Sequence, residues 1–330
     1  MFSRRHCVRS LGLALLAAMT GVLPPAAGAA DAKWPSKPIT IIVPFPAGGM
    51  TDVLARRMAK DMSDALHQSV VVENRAGASG QIGTQFVARA EPDGYTLLVS
   101  ATHHVINPAV RANLPYDARK DFTPLALLAT TPNLLVVNNN VPVNDVQGFV
   151  AYAKQRPGGV MFGSSSIGGA THLSGELFKL ETGAPMTHVP YKGASPALTD
   201  LLGGQIPALF HDVMTMAPYV RDGRVKALGV TSSRRSAALP QVPTIAEQGV
   251  PGYEAITWIG FYGPAGLAPA IAARLNELAR ASMNSSQARP WFAENGTEPG
   301  DMDLARFAGF VNSELDKWKN VVARAGVKIE

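Results

Sequence analysis

The chain has 330 residues, 46% of them apolar, with 30 Lys and Arg against 25 Asp and Glu, a formal charge of +5. Three of the bases, Arg4, Arg5 and Arg9, precede an apolar run from Leu11 to Val22, leaving 27 bases against 25 acids in the rest; that near-neutrality, without a Lys/Arg cluster, argues against nucleic acid as a partner. The one cysteine, Cys7, lies ahead of the same run, so everything downstream lacks disulfides, cysteine catalysis and thiolate metal sites.

Residues 1–30 read as a cleavable export signal, with Ala27-Gly28-Ala29 as the small-residue cleavage site and a mature start near Ala30 or Asp31. Ser3-Arg4-Arg5 resembles a twin-arginine start, which leaves both Sec and Tat export open. No later stretch is long and uncharged enough to span a bilayer. The expectation is a soluble exported protein of about 300 residues, enough for two α/β domains or one large one.

Ile39 to Asp52 carries an apolar β-branched run to a Pro-x-Pro corner, passes Gly48-Gly49, and restarts with Leu54, Met58, Met62 and Leu66 every fourth residue. That is strand, tight loop, helix, with Thr51 or Asp52 expected as N-cap. The unpaired N–H groups of such a helix start form an anion site. Ser69 to Glu73 and Tyr95 to Ser100 are further strands, with a helix from Gln81 to Ala90 between them. Asn107 to Pro124 is turn-rich and reads as a surface excursion, and Leu134 to Val137 as a crossover strand into a second unit. There the layout recurs: a helix over Val146 to Gln155, a strand at Val160 to Phe162, a loop from Gly163 to His172, and a helix marked by Leu173, Leu177 and Leu180. Ser195 is the expected N-cap of the next helix, followed by a strand to Asp212, a short helix from Met216 and a strand over Val225 to Val230. Trp258 to Pro264 is the expected return crossover, before helices at Pro269 to Met283 and Leu304 to Ala323. Short alternating units of this kind predict parallel sheets with ligands beyond the carboxyl ends of the strands.

Several motifs point away from catalysis. Gly77-x-x-Gly80-x-x-Gly83 is not the dinucleotide fingerprint, and Gly48-Gly49 lacks the Lys of a phosphate-binding loop. Gly163-Ser164-Ser165-Ser166-Ile167 has Ile where a nucleophile elbow needs glycine. His103 and His104, on an extended segment, point apart and cannot share a metal, and His172, His188 and His211 are scattered without ligand spacing. What remains is a pair of glycine loops, each opening a helix, suited to a small carboxylate.

Trp34-Pro35-x-x-Pro38, Pro44-Phe45-x-x-Gly48-Gly49-x-x-Asp52, Glu73-Asn74-Arg75-x-Gly77, Pro92-Asp93-Gly94-Tyr95, Val189-Pro190-Tyr191-Lys192-Gly193 and Trp258-x-Gly260 together resemble the Bug or TctC-type solute-binding proteins of tripartite tricarboxylate transporters. The resemblance covers nearly all of the chain after the leader. It implies a two-lobed periplasmic-binding-protein (Venus flytrap) fold of the α/β class, each lobe a mostly parallel sheet flanked by helices, with two crossovers. Lobe one is expected over residues 31–132 plus 253–330 and lobe two over 133–252. It also implies a monomeric carrier of a di- or tricarboxylate, acidic amino acid or aromatic acid, working with membrane permease subunits and without cofactor, metal or catalysis. By position, Phe45, Ala47, Gly48, Gly49 and Asp52 form the first-lobe ligand loop, with Gly77 and Thr102 nearby. Ser164, Ser165, Ser166, Gly168, Gly169, Thr171, His188, Tyr191 and Asp212 supply the second lobe. Ser166 stands where the family usually has glycine, and Gly169 where it usually has Ser or Thr. Two alternatives stay open: a module presenting a bound carboxylate to a membrane kinase, and a hydrolase using Ser165 or Ser166 with a histidine.

Overall fold

The computed structural model describes residues 34–327; the expected leader, its cleavage site and Cys7 lie outside the described residues. In chain order the elements are β1 (Ile39–Val43), α1 (Met50–Leu66), β2 (Val70–Asn74), α2 (Gln81–Ala88), β3 (Thr96–Ala101), α3 (His103–Val110), β4 (Phe122–Asn138), α4 (Val146–Lys154), β5 (Val160–Ser164) and α5 (Ala170–Thr182). There follow β6 (Met186–Pro190), α6 (Ala194–Leu202), β7 (Ala208–Asp212), α7 (Val213–Arg221), β8 (Val225–Val230), β9 (Ile256–Pro264), α8 (Pro269–Met283), α9 (Arg289–Glu294), β10 (Glu298–Pro299) and α10 (Leu304–Ala325).

The strands run in the order β2-β1-β3-β9-β4-β7-β5-β6, with β10 and β8 added to β4. Pairings made through a helix are parallel, β1 with β2 and β3, and β5 with β6 and β7; β4 and β9 enter antiparallel. The 17 residues of β4 serve both sheets: Phe122 to Pro132 pair with β9, and Asn133 to Val137 with β7. The exchange of partners falls between Pro132 and Asn133, giving a two-lobed fold on a shared strand. Buried Leu54, Met58 and Met62 of α1 pack with β1 and β3 in one core, while Leu134, Val136 and Leu209 anchor another. A third core joins both lobes, from Ile42 and Leu98 to Phe162 and Phe178, with Phe307, Trp318 and Val322 of α10 along it. Because β1 to β3 run together, and β5 to β7 likewise, the loops after β1 and β5 each leave the carboxyl end of their sheet. No helix among the described residues is long and apolar enough to cross a membrane.

The structure corrects the sequence reading in four places. The expected excursion over 107–124 contains the end of helix α3 and the start of β4, and Tyr116 within it is buried. His103 and His104 are therefore helical rather than extended. The N-caps are glycines, Gly49 for α1 and Gly193 for α6, and neither supplies a side-chain cap, with Thr51, Asp52 and Ser195 inside the first turns. α9 and β10 carried no recognised signal.

Candidate functional site

The loops after β1 and β5 are conformational copies. Gly48 has φ +87° and Gly168 +66°, a left-handed region that favours glycine. Gly49 and Gly169 then take the extended N-cap conformation, with ψ 166° and 171°, and neither helix start has a side-chain cap. Four residues after each left-handed glycine a buried side chain reaches back: Gly48 N–H donates to Asp52 Oδ2 at 2.9 Å, and Gly168 N–H to His172 Nδ1 at 3.0 Å. A helix start leaves its first N–H groups without partners inside the helix, and the positive helix end favours an anion there.

Each loop is braced from behind. Asn74, at the end of β2, donates to Phe45 O at 3.1 Å and Asp52 Oδ1 at 2.9 Å, and accepts from Arg56 at 2.9 Å. Burial pushes the Asp52 carboxyl up, but hydrogen bonds from Arg56, Gly48 and Asn74 outweigh it and hold the group below its ordinary range. In the second lobe Tyr191 N–H donates to Ser164 O at 3.1 Å and Gly193 N–H to Ser165 O at 2.9 Å. Within the first lobe the rings of Phe45 and His103 lie 5.2 Å apart, and His103 Nε2 reaches toward the second loop, 3.8 Å from where a Cβ on Gly169 would stand. Beside them Gly77, Ala78, Ser79 and Gly80 all have positive φ. The two non-glycine residues are strained, and α3 pins the turn: Asn107 donates to Ser79 O at 3.0 Å and Arg111 to Ser79 Oγ at 3.2 Å.

Residues 54–327 match the profile of the tripartite tricarboxylate transporter family receptor, TctC. The chain belongs to this receptor family. It is 38% identical to protein BugT of Bordetella pertussis, over 90% of this chain and 92% of that one. Among solved structures it is similar to R. palustris Rpa4515 with adipate (38% identity, TM-score 0.77, covering 89% of this chain and 99% of that one). It is also similar to MatC (Rpa3494) from Rhodopseudomonas palustris with bound malate (31% identity, TM-score 0.72, covering 87% and 99%).

In this TctC-family chain the structure brings His172 and His188, expected to be scattered, into a stack with ring centroids 3.6 Å apart. Ser164 Oγ donates to Ser166 O at 2.9 Å, so the 2.7 Å contact between Ser164 Oγ and His188 Nε2 has the ring N–H donating. Burial first, then the positive charge of Lys179, brings His188 down to about 4; burial, His188 and Lys179 bring His172 down to about 3. Ser165 pairs with Thr171, Oγ to Oγ1 at 3.1 Å. Other expected residues are already engaged. Thr102 is fully buried, accepting from Trp258 N–H at 2.9 Å. Tyr191 donates its hydroxyl to Asp200 at 2.7 Å, and burial followed by that carboxylate pushes the phenol up to about 12. Asp212 caps α7 through Thr215 N–H at 2.8 Å, with His211 Nδ1 2.7 Å from its carboxylate; burial opposes ionisation there, but His211 and Thr215 hold the group low. Sequence reasoning missed His103, His172 and Asn74 as parts of the site. The repeated Gly-Gly-x-Thr with Asp52 or His172 next was the signal for His172.

A cavity of about 490 Å³ opens elsewhere, between Ser232 to Ala237, Gly296 to Met302 and α10, and includes no residue of either loop. Its charged side chains are largely matched, Arg234 to Glu298 and Lys317 to Glu314 among them.

Proposed function

We propose that this receptor is a non-enzymatic periplasmic binding protein that captures a small dicarboxylate between two lobes, residues 31–132 plus 253–330 and 133–252, and delivers it to membrane permease subunits. One observation carries the reading: the same glycine turn is built twice, with two uncapped helix starts, one in each lobe. A ligand with a carboxylate at each end meets one helix start with each, and neither loop brings a Lys or Arg of its own. Binding by main-chain N–H groups holds the ion without a buried ion pair, which favours later release. Phe45, Ala47, Gly49 and Gly77 line the first-lobe side in this reading; Ser165, Ser166, Gly169 and Thr171 line the second. Adipate and malate, held by two structural neighbours, are ligands of this kind. The hydrolase alternative, which calls on Ser165 or Ser166, loses support because Ser165 is paired with Thr171, and the serine hydrogen-bonded to a histidine is instead Ser164, fully buried and already giving its proton to a carbonyl.

A thermal-shift screen of the chain without its leader against di- and tricarboxylates, acidic amino acids and aromatic acids tests the reading. A ligand at 100 times its dissociation constant adds about 2.7 kcal/mol, a rise of several degrees. A rise confined to carboxylates is expected; a protein free of co-purified ligand that responds to none of them contradicts the proposal.

A further inference from the structure

His103 opens α3 and is held in place by its neighbours: Thr102 is fastened to Trp258, and Asn107 and Arg111 to Ser79. Its ring is half-buried against Phe45. Nδ1 is buried with no hydrogen-bond partner. Nε2 looks across to the second lobe, 3.8 Å from the point where a Cβ on Gly169 would stand, and Ser166 Oγ lies 2.2 Å from that same point. A ring nitrogen of one lobe and a hydroxyl of the other thus converge over the uncapped start of α5. Nδ1 is the buried atom without a partner; Nε2 is the one that faces the second lobe, and an anion seated on α5 would come within its reach.

We propose that His103 is the first lobe's side-chain contact with a ligand carboxylate, and that its ring takes up a proton from solvent as the ligand binds. This rests on the carboxylate reading above. Phe45 from the first loop packs on the ring, Nε2 approaches Gly169 of the second lobe, and the charge that acts on the ring is that of Arg111, at the end of its own helix. Burial, and after it Arg111, hold the ring down to about 4, so it is neutral near pH 7. A carboxylate at Nε2 stabilises the imidazolium and opposes both effects. His172 and His188 are already engaged, by Gly168 N–H and by Ser164. The sign follows: the ligand prefers the protonated ring, so affinity falls as pH rises, by at most about tenfold per pH unit for one proton.

The test is calorimetric titration of the chain without its leader with adipate and with malate, from about pH 6 to pH 8, in buffers of different ionisation enthalpy. Wild type, His103→Gln and His103→Ala are compared, with each variant's melting curve as the folding control. Wild type is expected to take up a fraction of a proton per ligand and to weaken as pH rises. His103→Gln, which keeps a donor but cannot titrate, should bind with no proton uptake from this position and a flatter pH profile; His103→Ala should lose about tenfold or more in affinity. Wild-type proton uptake in His103→Gln, or wild-type affinity in His103→Ala, overturns the proposal. If wild type binds neither probe nor any other carboxylate of the thermal screen, the carboxylate reading falls and this proposal with it.

Discussion

Asp52 and His172 do the same work with opposite chemistry: each accepts a glycine N–H, one as a carboxylate and the other as a neutral imidazole. Replacing Asp52 by Ala leaves Gly48 N–H, Asn74 and Arg56 without their acceptor, an expected loss of about 1–3 kcal/mol together with weaker ligand binding. Asp52→Asn should recover part of both, and chemical denaturation with ligand titration checks it. Gly48→Val and Gly168→Val place a β-branched residue in the left-handed region, an expected cost of about 1–2 kcal/mol, and would fill the space the proposed ligand takes; retained affinity in both variants would count against the two-loop site. The histidines set a stability profile. His103, His104 and His188 lie near 4 and His172 near 3, each lowered chiefly by burial. Unfolded histidines protonate near 6.5, so between about 6.5 and 4 the unfolded chain binds more protons than the folded one. Stability is full above that window and is lost as pH falls through it. The melting temperature should therefore drop clearly from pH 7 to pH 5, and an unchanged value would contradict these placements.

The duplicated strand–loop–helix was legible in the chain because two signals coincide, an apolar β-branched run ending in Gly-Gly and a fourth-residue apolar repeat after it. What was illegible involves proline. Pro108 sits inside α3, where it removes an N–H; buried Val105, Ile106 and Val110 hold the helix through tertiary packing instead. Pro124 and Pro132 lie within β4, whose pairing with β9 shifts register between Pro124 and Ala126, so the first half of a 17-residue strand resembled a loop. Histidine stacking was hidden for another reason: β5, α5 and β6 bring residues 172 and 188 together only once the sheet forms. At the exchange point of β4, buried Asn133 donates to Ser174 Oγ at 3.0 Å and Ala255 O at 3.3 Å, while Thr231 N–H donates to Asn133 O at 2.9 Å. Asn133→Leu keeps the main-chain bond from Thr231 but should cost about 1–3 kcal/mol by removing the amide's bonds to Ser174 and Ala255; a melting temperature equal to wild type would remove Asn133 from the crossover.

At the scale of the molecule, β4 and β9 bind the lobes side by side while α10 runs along the core they share. Glu314, buried on α10, accepts from the indoles of Trp258 at 2.9 Å and Trp318 at 3.0 Å and pairs with Lys317, tying helix to crossover. Under the proposed function, a ligand that touches both loops would stabilise the conformation in which they face each other, by contacts made only there. Solution scattering should record a smaller radius of gyration with a bound dicarboxylate, and an unchanged radius would speak against closure. The most direct measurement is a crystal structure of the chain without its leader bound to the strongest dicarboxylate of the thermal screen. The account predicts carboxylate oxygens about 3 Å from first-turn N–H groups of both α1 and α5. A ligand held by one lobe alone, or seated in the cavity between Ser232 to Ala237 and α10, would contradict it.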